Sequence, residues 1–218
     1  MMVKWTERVG HSIFNRTPIL GLIEAGIHRK QLRRWTRMRA GGMPHLIKQA
    51  TIRSYASSYG TRTLVETGTC LGEMVHAMRD DFDTIISIEL DDWRYRNARR
   101  RFAGYPHIEI KHGDNGQNLP SIVANIDGPA LFWLDAHYSG GATPRGSQDT
   151  PVQAELATIL RHAHRGHVIL IDDAGYFVGK DGYPTLEEVA QLVRRNCSGY
   201  GVEVKCDMIQ ICPTCHTL

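Results

Sequence analysis

The stretch Thr63-Leu-Val-Glu-Thr-Gly-Thr-Cys-Leu-Gly72 constrains the fold more than any other part of the chain. A short apolar run, Leu64-Val65, ends in an acid, Glu66. A glycine-punctuated turn from Gly68 to Gly72 then leads into a helical pattern, Glu73-Met-Val-His-Ala-Met78. Strand, tight glycine turn and helix, in that order, bring backbone N–H groups up to nucleotide-like ligands in α/β proteins. The spacing is E-x-G-x-x-x-G, not the G-x-G-x-x-G of NAD-type sites. Glycine turns of this kind also serve packing alone, so the rest of the chain has to decide.

From Thr63 onward the pattern alternates. Strands are expected at Thr63–Thr67, Thr84–Glu89, Ile108–His112, Ala130–Asp135 and His167–Asp172. Helices are expected over Gly72–Arg79, Asp92–Phe102, Asn118–Val123, Pro151–His164 and Leu186–Arg195, and Val202–Lys205 and Met208–Ile211 follow as two short strands. That order predicts an α/β fold, a doubly wound, seven-stranded, mostly parallel sheet with helices on both faces. The last two strands are too close for a crossover helix, so at least one runs antiparallel. Ahead of the sheet, Ile19 to Arg39 reads as a basic amphipathic helix stopped by Gly41-Gly42-Met-Pro44, and His45 to Tyr59 as another. The expected division is a basic helical N-terminal extension over 1–59 and a main domain over 60–218.

Composition narrows the class. A chain of 218 residues with 42% hydrophobic content can bury one sizeable core. No apolar run approaches a transmembrane helix, and the first residues are basic and polar without a signal-peptide core, so a cytoplasmic protein with no membrane span is expected. Residues 1–53 hold eleven Lys/Arg against two Asp/Glu, whereas the remainder holds fifteen against twenty-one. A basic arm on an acidic body can grip nucleic acid, an anionic surface or an anionic substrate. It can equally be a solvated face, or dock on the acidic body of another subunit, which makes a homodimer one expected assembly. Few aromatics interleave with the basic run, so nucleic acid is not the expected partner. Of five cysteines, Cys212-Pro-Thr-Cys215-His216 has the C-x-x-C-H spacing of haem attachment, but a haem would need export and zinc would need further ligands. The tail is read as structural, Cys70 as packing, and His162, His164 and His167 as a cluster at a helix C-terminus, where positive charge is favoured.

Acids close strand after strand: Glu66, Glu89, Asp114 in His112-Gly-Asp114, Asp135, and the pair Asp172-Asp173. A single such acid is accounted for as readily by helix capping. Several along one rim repel one another unless a cation or ligand offsets the charge. An acid at the tip of the second strand can accept from both hydroxyls of a ribose. Two loops leave the same rim, Tyr138–Thr150 and Gly175–Pro184, and loops of that length usually cover or line a site.

Together, Glu66-Thr-Gly-Thr-Cys-Leu-Gly72, Glu89 and Gly113-Asp114 resemble the nucleotide-binding motifs of class I S-adenosylmethionine-dependent methyltransferases, whose Rossmann-like fold has the same seven-strand order. The resemblance covers residues 60 to 212. It implies S-adenosylmethionine as cofactor, with Glu66 and the Gly68–Gly72 turn at its methionine part, Glu89 on the ribose and Asp114 near the adenine amine. Thr67, Thr69, Leu90, Gly113, Asn115 and Asp135 complete the implied cofactor-binding set. Leu131-Phe-Trp-Leu-Asp135-Ala-His137 and Val168-Ile-Leu-Ile-Asp172-Asp173 are similar to the metal-binding strand ends of cation-dependent O-methyltransferases of the catechol and caffeoyl-CoA type. That likeness makes Asp135, Asp172 and Asp173 candidate ligands of one hard divalent cation, Mg²⁺ first among them. Those enzymes often carry Lys where this chain has Tyr138, and Asn where it has Asp173.

The implied reaction is methylation of a hydroxyl on a small or medium acceptor, such as a sugar, a polyketide-like compound or a phenol. His137, two residues past Asp135, is the candidate base, because imidazole titrates near neutral pH, and Tyr138 is its substitute. The alternatives are a nucleic-acid methyltransferase gripping phosphate with the basic arm, and a nucleotide-binding module without turnover. The Asn/Asp-Pro-Pro-aromatic motif usual in base amino-methylation is absent.

Overall fold

The computed structural model describes residues 43–135 and 151–214. The helix expected over Ile19–Arg39, the loop Tyr138–Thr150 and the Cys215-His216 pair lie outside the described residues. The chain divides into two compact units, Met1–Thr51 and Ile52–Leu218. The first described helix, α1 (His45–Tyr59), crosses that division.

The second unit alternates as the sequence pattern implies. Its strands are β1 (Thr63–Thr67), β2 (Thr84–Glu89), β3 (Ile108–His112), β4 (Ala130–Leu134), β5 (Val168–Ile171), β6 (Tyr200–Lys205) and β7 (Met208–Pro213). Between them lie α2 (Glu73–Met78), α3 (Asp92–Arg101), α4 (Asn115–Ala124), α5 (Val152–Leu160) and α6 (Leu186–Asn196). The sheet order is β3-β2-β1-β4-β5-β7-β6. Strands β1 to β5 pair in parallel, and β7 runs antiparallel to both β5 and β6. Among the described strands, only β7 is therefore reversed.

Both faces of the sheet are buried, which is why the central strands read as near-continuous apolar runs. On one face Leu64, Ile85, Leu131, Trp133 and Leu170 pack with Ile52 of α1, Met74, Val75 and Met78 of α2, and Ala98 of α3. On the other, Val65, Phe132, Ile169 and Ile211 pack with Leu119 and Val123 of α4, Leu156 and Ile159 of α5, and Val189 and Val193 of α6. Alternation along each strand assigns the two sets to opposite faces.

Helix ends depart from the periodicity at identifiable places. Helix α4 begins at Asn115, three residues before the expected start, because Asp114 caps it by accepting from the Gly116 N–H at 2.8 Å. Gly116 in the first turn reads as a turn residue when the cap is not seen. The helix expected over Pro151–His164 ends at Leu160, and a separate 3₁₀ turn follows over Ala163–Arg165, closed by Gly166 at φ +78°. Helix α6 carries a full capping box, with Thr185 and Glu188 bonding each other's backbone N–H.

The histidine reading needs correction. His167 is fully buried at the start of β5, edge-on to Phe132, and its Nδ1 accepts from the Ala130 N–H at 3.2 Å. Burial, then the Arg165 charge, lowers its pKa to about 4, and burial also lowers that of His162. Desolvation thus outweighs the expected preference for positive charge.

His167 is neutral in the fold and protonates in the unfolded chain near pH 6.5, so its contribution is present above pH 6.5 and lost as pH falls toward 4. A His167→Gln variant, which still accepts from Ala130, should lose roughly 2 kcal/mol less than the parent between pH 7.5 and 4.5 in denaturant titrations. Equal losses would contradict a buried neutral imidazole. Gly72, at φ +72°, would place a Cβ 2.8 Å from Phe102 Cε2. Gly72→Ala should therefore cost about 2–3 kcal/mol, combining left-handed strain with overpacking, and lower the melting temperature by roughly 5–10 °C.

Candidate functional site

Parallel pairing brings the carboxyl ends of β1 to β5 to one rim. The ladder continues past the strand ends. Gly68 and Thr69 N–H donate to Ile88 O at 3.0 and 3.1 Å, Gly113 N–H to Glu89 O at 2.9 Å, Asp135 N–H to Thr67 O at 3.2 Å, and Asp172 N–H to Leu134 O at 3.0 Å. Chain order reverses direction between β1 and β4, which makes the crevice beyond their tips the switch point where open α/β sheets take ligands.

Glu66 lies at the end of β1, 2% exposed, opposite Ser87 in the β1–β2 register. Ser87 Oγ donates to Glu66 Oε2 and shares a 2.6 Å bond with Thr69 Oγ1. One hydroxyl thus joins the β1 carboxyl to the glycine turn. Burial pushes the Glu66 pKa up to about 8, against the Ser87 bond, and the charges of Asp135 and Glu89 add to the rise. Glu66 is therefore protonated at neutral pH, and its contribution to stability is complete below about pH 4.5 and lost as pH rises through 8.

Glu89 is two residues past Ser87 on the same face of β2. Its Oε2 accepts from Cys70 N–H at 2.7 Å and its Oε1 from Asp91 N–H at 2.8 Å. The carboxylate thus ties the glycine turn to the start of α3. Burial raises its pKa while the two amides lower it. Each oxygen still has acceptor capacity, so the same carboxylate can take further donors from the crevice. Leu90 follows, half-buried, and Asp91 caps α3 by accepting from Arg94 N–H at 2.8 Å.

The turn after β1 takes left-handed backbone at Gly68, Cys70 and Gly72, with φ of +91°, +52° and +72°. Thr67 and Thr69 are buried. Cys70 is exposed, not packed, and its backbone N–H rather than its thiol joins the site. At the tip of β3, Gly113 has φ +123° and Asp114 and Asn115 are half-buried. Asp114 caps α4, so part of its role is structural.

Asp135 is half-buried and close enough to Glu66 to act on its titration. Asp172 is buried, and Asp173 adopts φ +54° at the entry to a 3₁₀ turn over Ala174–Tyr176. The three aspartates occupy neighbouring strand ends. Among the described residues, however, no group of three or more His, Cys, Asp or Glu side chains is arranged to hold a metal ion. The expected trio does not converge there into a ligand set. His137 and Tyr138 lie outside the described residues.

Three further residues belong to this region and carry no motif. Ser87 interrupts an apolar strand, and that interruption is its only sequence signal. Tyr183 stacks on Tyr176 with ring centroids 5.6 Å apart and sits edge-on to Phe177. Burial, then the charges of Asp173, Tyr176 and Asp135, push its pKa up to about 12, so its phenol stays an O–H donor. Glu155, on α5, is buried and accepts from Asn115 Nδ2 at 2.8 Å. Toward the C-terminal end, burial pushes the Cys212 thiol up to about 11, away from the thiolate that metal or redox work needs.

No protein-family model and no curated protein matches the chain. Solved structures do. The chain is similar to the Podospora anserina methyltransferase PaMTH1, solved with S-adenosylhomocysteine bound, at 17% identity over 98% of this chain and 97% of that one, with TM-score 0.53. It is similar to a Staphylococcus aureus protein assigned as a caffeoyl-CoA O-methyltransferase, at 14% identity over 88% and 97% of the two chains, TM-score 0.53. A third likeness is to the Streptomyces achromogenes O-methyltransferase TomG of tomaymycin synthesis, solved with S-adenosylmethionine, at 17% identity over 77% and 79%, TM-score 0.52. Sheet order, the single reversed strand and these likenesses agree: the chain has the fold of the class I S-adenosylmethionine-dependent methyltransferases.

Proposed function

We propose that the chain transfers the methyl group of S-adenosylmethionine to a hydroxyl of a small or medium acceptor. The observation that carries this reading is the Glu89 carboxylate, held by Cys70 and Asp91 N–H at the tip of β2 beside the buried Glu66. A carboxylate fixed in that way offers its free lone pairs to a ribose diol. The β1 turn and Glu66 take the methionine end, and Gly113, Asp114 and Asn115 the adenine end. Small molecules bound in the solved structures of similar fold support the same cofactor.

The reaction asks little of the protein beyond alignment and a deprotonated acceptor. The acceptor oxygen attacks the sulfonium methyl carbon, the C–S bond breaks, and a methyl ether and S-adenosylhomocysteine result. The hydroxyl proton goes to His137, with Tyr138 as its substitute, an assignment supported by their place in the sequence two and three residues after Asp135. Tyr183 is unsuited to take the proton because its own pKa is so high. It is suited to donate to an acceptor oxygen. The divalent cation is a separate part of the reading. It would draw on Asp135, Asp172 and Asp173 and polarise the acceptor hydroxyl, although the described residues do not assemble that set.

Glu66 supplies a distinctive signature. Its carboxyl is protonated in the ligand-free protein at pH 7. A cationic cofactor beside it favours the ionised form. Cofactor binding should therefore release up to one proton at pH 7, seen by calorimetry in buffers of different ionisation enthalpy, and Glu66→Gln should abolish the release. Binding without proton exchange would remove Glu66 from the cofactor site. Glu89→Ala should weaken S-adenosylmethionine roughly 10–100-fold, since charge-assisted hydrogen bonds net about 1.5–3 kcal/mol. Undiminished binding by that variant would overturn the ribose assignment. Turnover insensitive to EDTA would remove the cation and leave methyl transfer standing.

A further inference from the structure

Glu155 is an acid where packing calls for none. It is 2% exposed on the inner face of α5, flanked by Val152, Leu156 and Ile159 of an apolar core layer. An apolar residue of similar volume fills such a position at no electrostatic cost, often with a gain in stability. What the carboxyl provides instead is one directed bond: Oε1 accepts from Asn115 Nδ2 at 2.8 Å, across 40 residues of chain. Burial pushes the Glu155 carboxyl up to about 8, with the Asp114 charge adding to the rise and the Asn115 bond opposing it. At neutral pH it is a neutral acid and escapes most of the penalty of a buried charge.

Asn115 stands at a sensitive place. It is the first residue of α4, directly after the Gly113-Asp114 pair at the tip of β3. The turn is stitched from within: Asp114 Oδ1 accepts from Gly116 N–H at 2.8 Å, and Asp114 O accepts from Asn118 Nδ2 at 3.0 Å. Those bonds hold the turn to α4 alone. The Asn115–Glu155 bond adds a tie to a different helix, so the turn is located against the core as well as against its own helix.

We propose that Glu155 is a positioning residue for the cofactor, holding through Asn115 the Asp114–Gly116 turn in the place where it receives the adenine end. The inference rests on the methyltransferase reading of this crevice. Glu155 does not touch the cofactor; it limits the positions Asn115 and its neighbours adopt before binding, and preorganisation of that kind appears as affinity.

The test is calorimetry of S-adenosylhomocysteine binding to the full chain and to Glu155→Leu, Glu155→Gln, Asn115→Ala and the Glu155→Leu/Asn115→Ala double variant, each first checked by its melting curve. Glu155→Leu and Asn115→Ala should each weaken binding about 10-fold, the double variant no more than either alone, and Glu155→Gln, which retains an acceptor for Asn115, less than threefold. In turnover the loss should fall on KM for the cofactor rather than on kcat. Unchanged affinity in folded Glu155→Leu or in Asn115→Ala, losses that multiply in the double variant, or a Gln variant as weak as the Leu variant would each overturn the proposal. If Glu155→Leu does not fold, Glu155→Met, which also removes the acceptor for Asn115, takes its place under the same criteria. A parent chain that binds no S-adenosylhomocysteine overturns the methyltransferase reading itself, whereas tight parental binding with indifferent variants overturns only the role of Glu155.

Discussion

Two backbone amides, from Cys70 and Asp91, converge on one carboxylate, Glu89, and the rest of the crevice takes its shape from that convergence. Cys70 belongs to the turn after β1 and Asp91 to the start of α3, so a single side chain adds a tie between two loops to the bonds that Gly68 and Thr69 already make to Ile88 O. The turn reaches Glu89 only because it accepts left-handed backbone at Gly68, Cys70 and Gly72. Gly72 meets the same requirement from the other side, since its missing side chain leaves room for the Phe102 ring. Loop geometry, strand order and helix packing therefore meet at one carboxylate, with N–H groups drawn to it by charge-assisted bonds of roughly twice the strength of neutral ones.

The acids along the rim divide by what they face. Asp91 and Asp114 turn back onto helix N-termini and are satisfied by amides at once. Asp135 and Glu89 add to the rise that burial imposes on Glu66, and Glu66 yields by keeping its proton. An apolar crevice would be more stable than this one. Keeping a buried acid beside two other carboxylates costs folding free energy, and that cost is recovered only when a cation or a set of donors arrives. Glu155 follows the same logic one layer away, with Asn115 donating to its carboxyl.

Much of the fold was legible because the chain repeats a simple rule. Strands β1, β2 and β3 have the bounds their apolar runs imply, since both faces of the sheet are buried and polar residues gather at strand ends. Acids at strand tips could be counted before any coordinates, and parallel order puts the tips on one rim. Signals of shorter range were harder to read. The start of α4 was hidden because Gly116 resembles a turn until the Asp114 cap is seen. His167 reads with His162 and His164 as a cluster at a helix C-terminus favouring positive charge, and only its depth beneath Phe132 and Ala130 makes it neutral.

Sequence by itself determined the periodic part: the alternation of elements, the reversed strand near the end, the glycine turn and the order of acids, because each depends on residues within a few positions of one another. Tertiary structure alone decided which acids are charged, which of them cap helices, and that Ser87, Tyr183 and Glu155 join the crevice region. Those outcomes depend on burial and on partners far away in the chain, such as Ser87 with Glu66 and Glu155 with Asn115. Desolvation and hydrogen bonding act through space, and a linear pattern holds no record of the distances that set them.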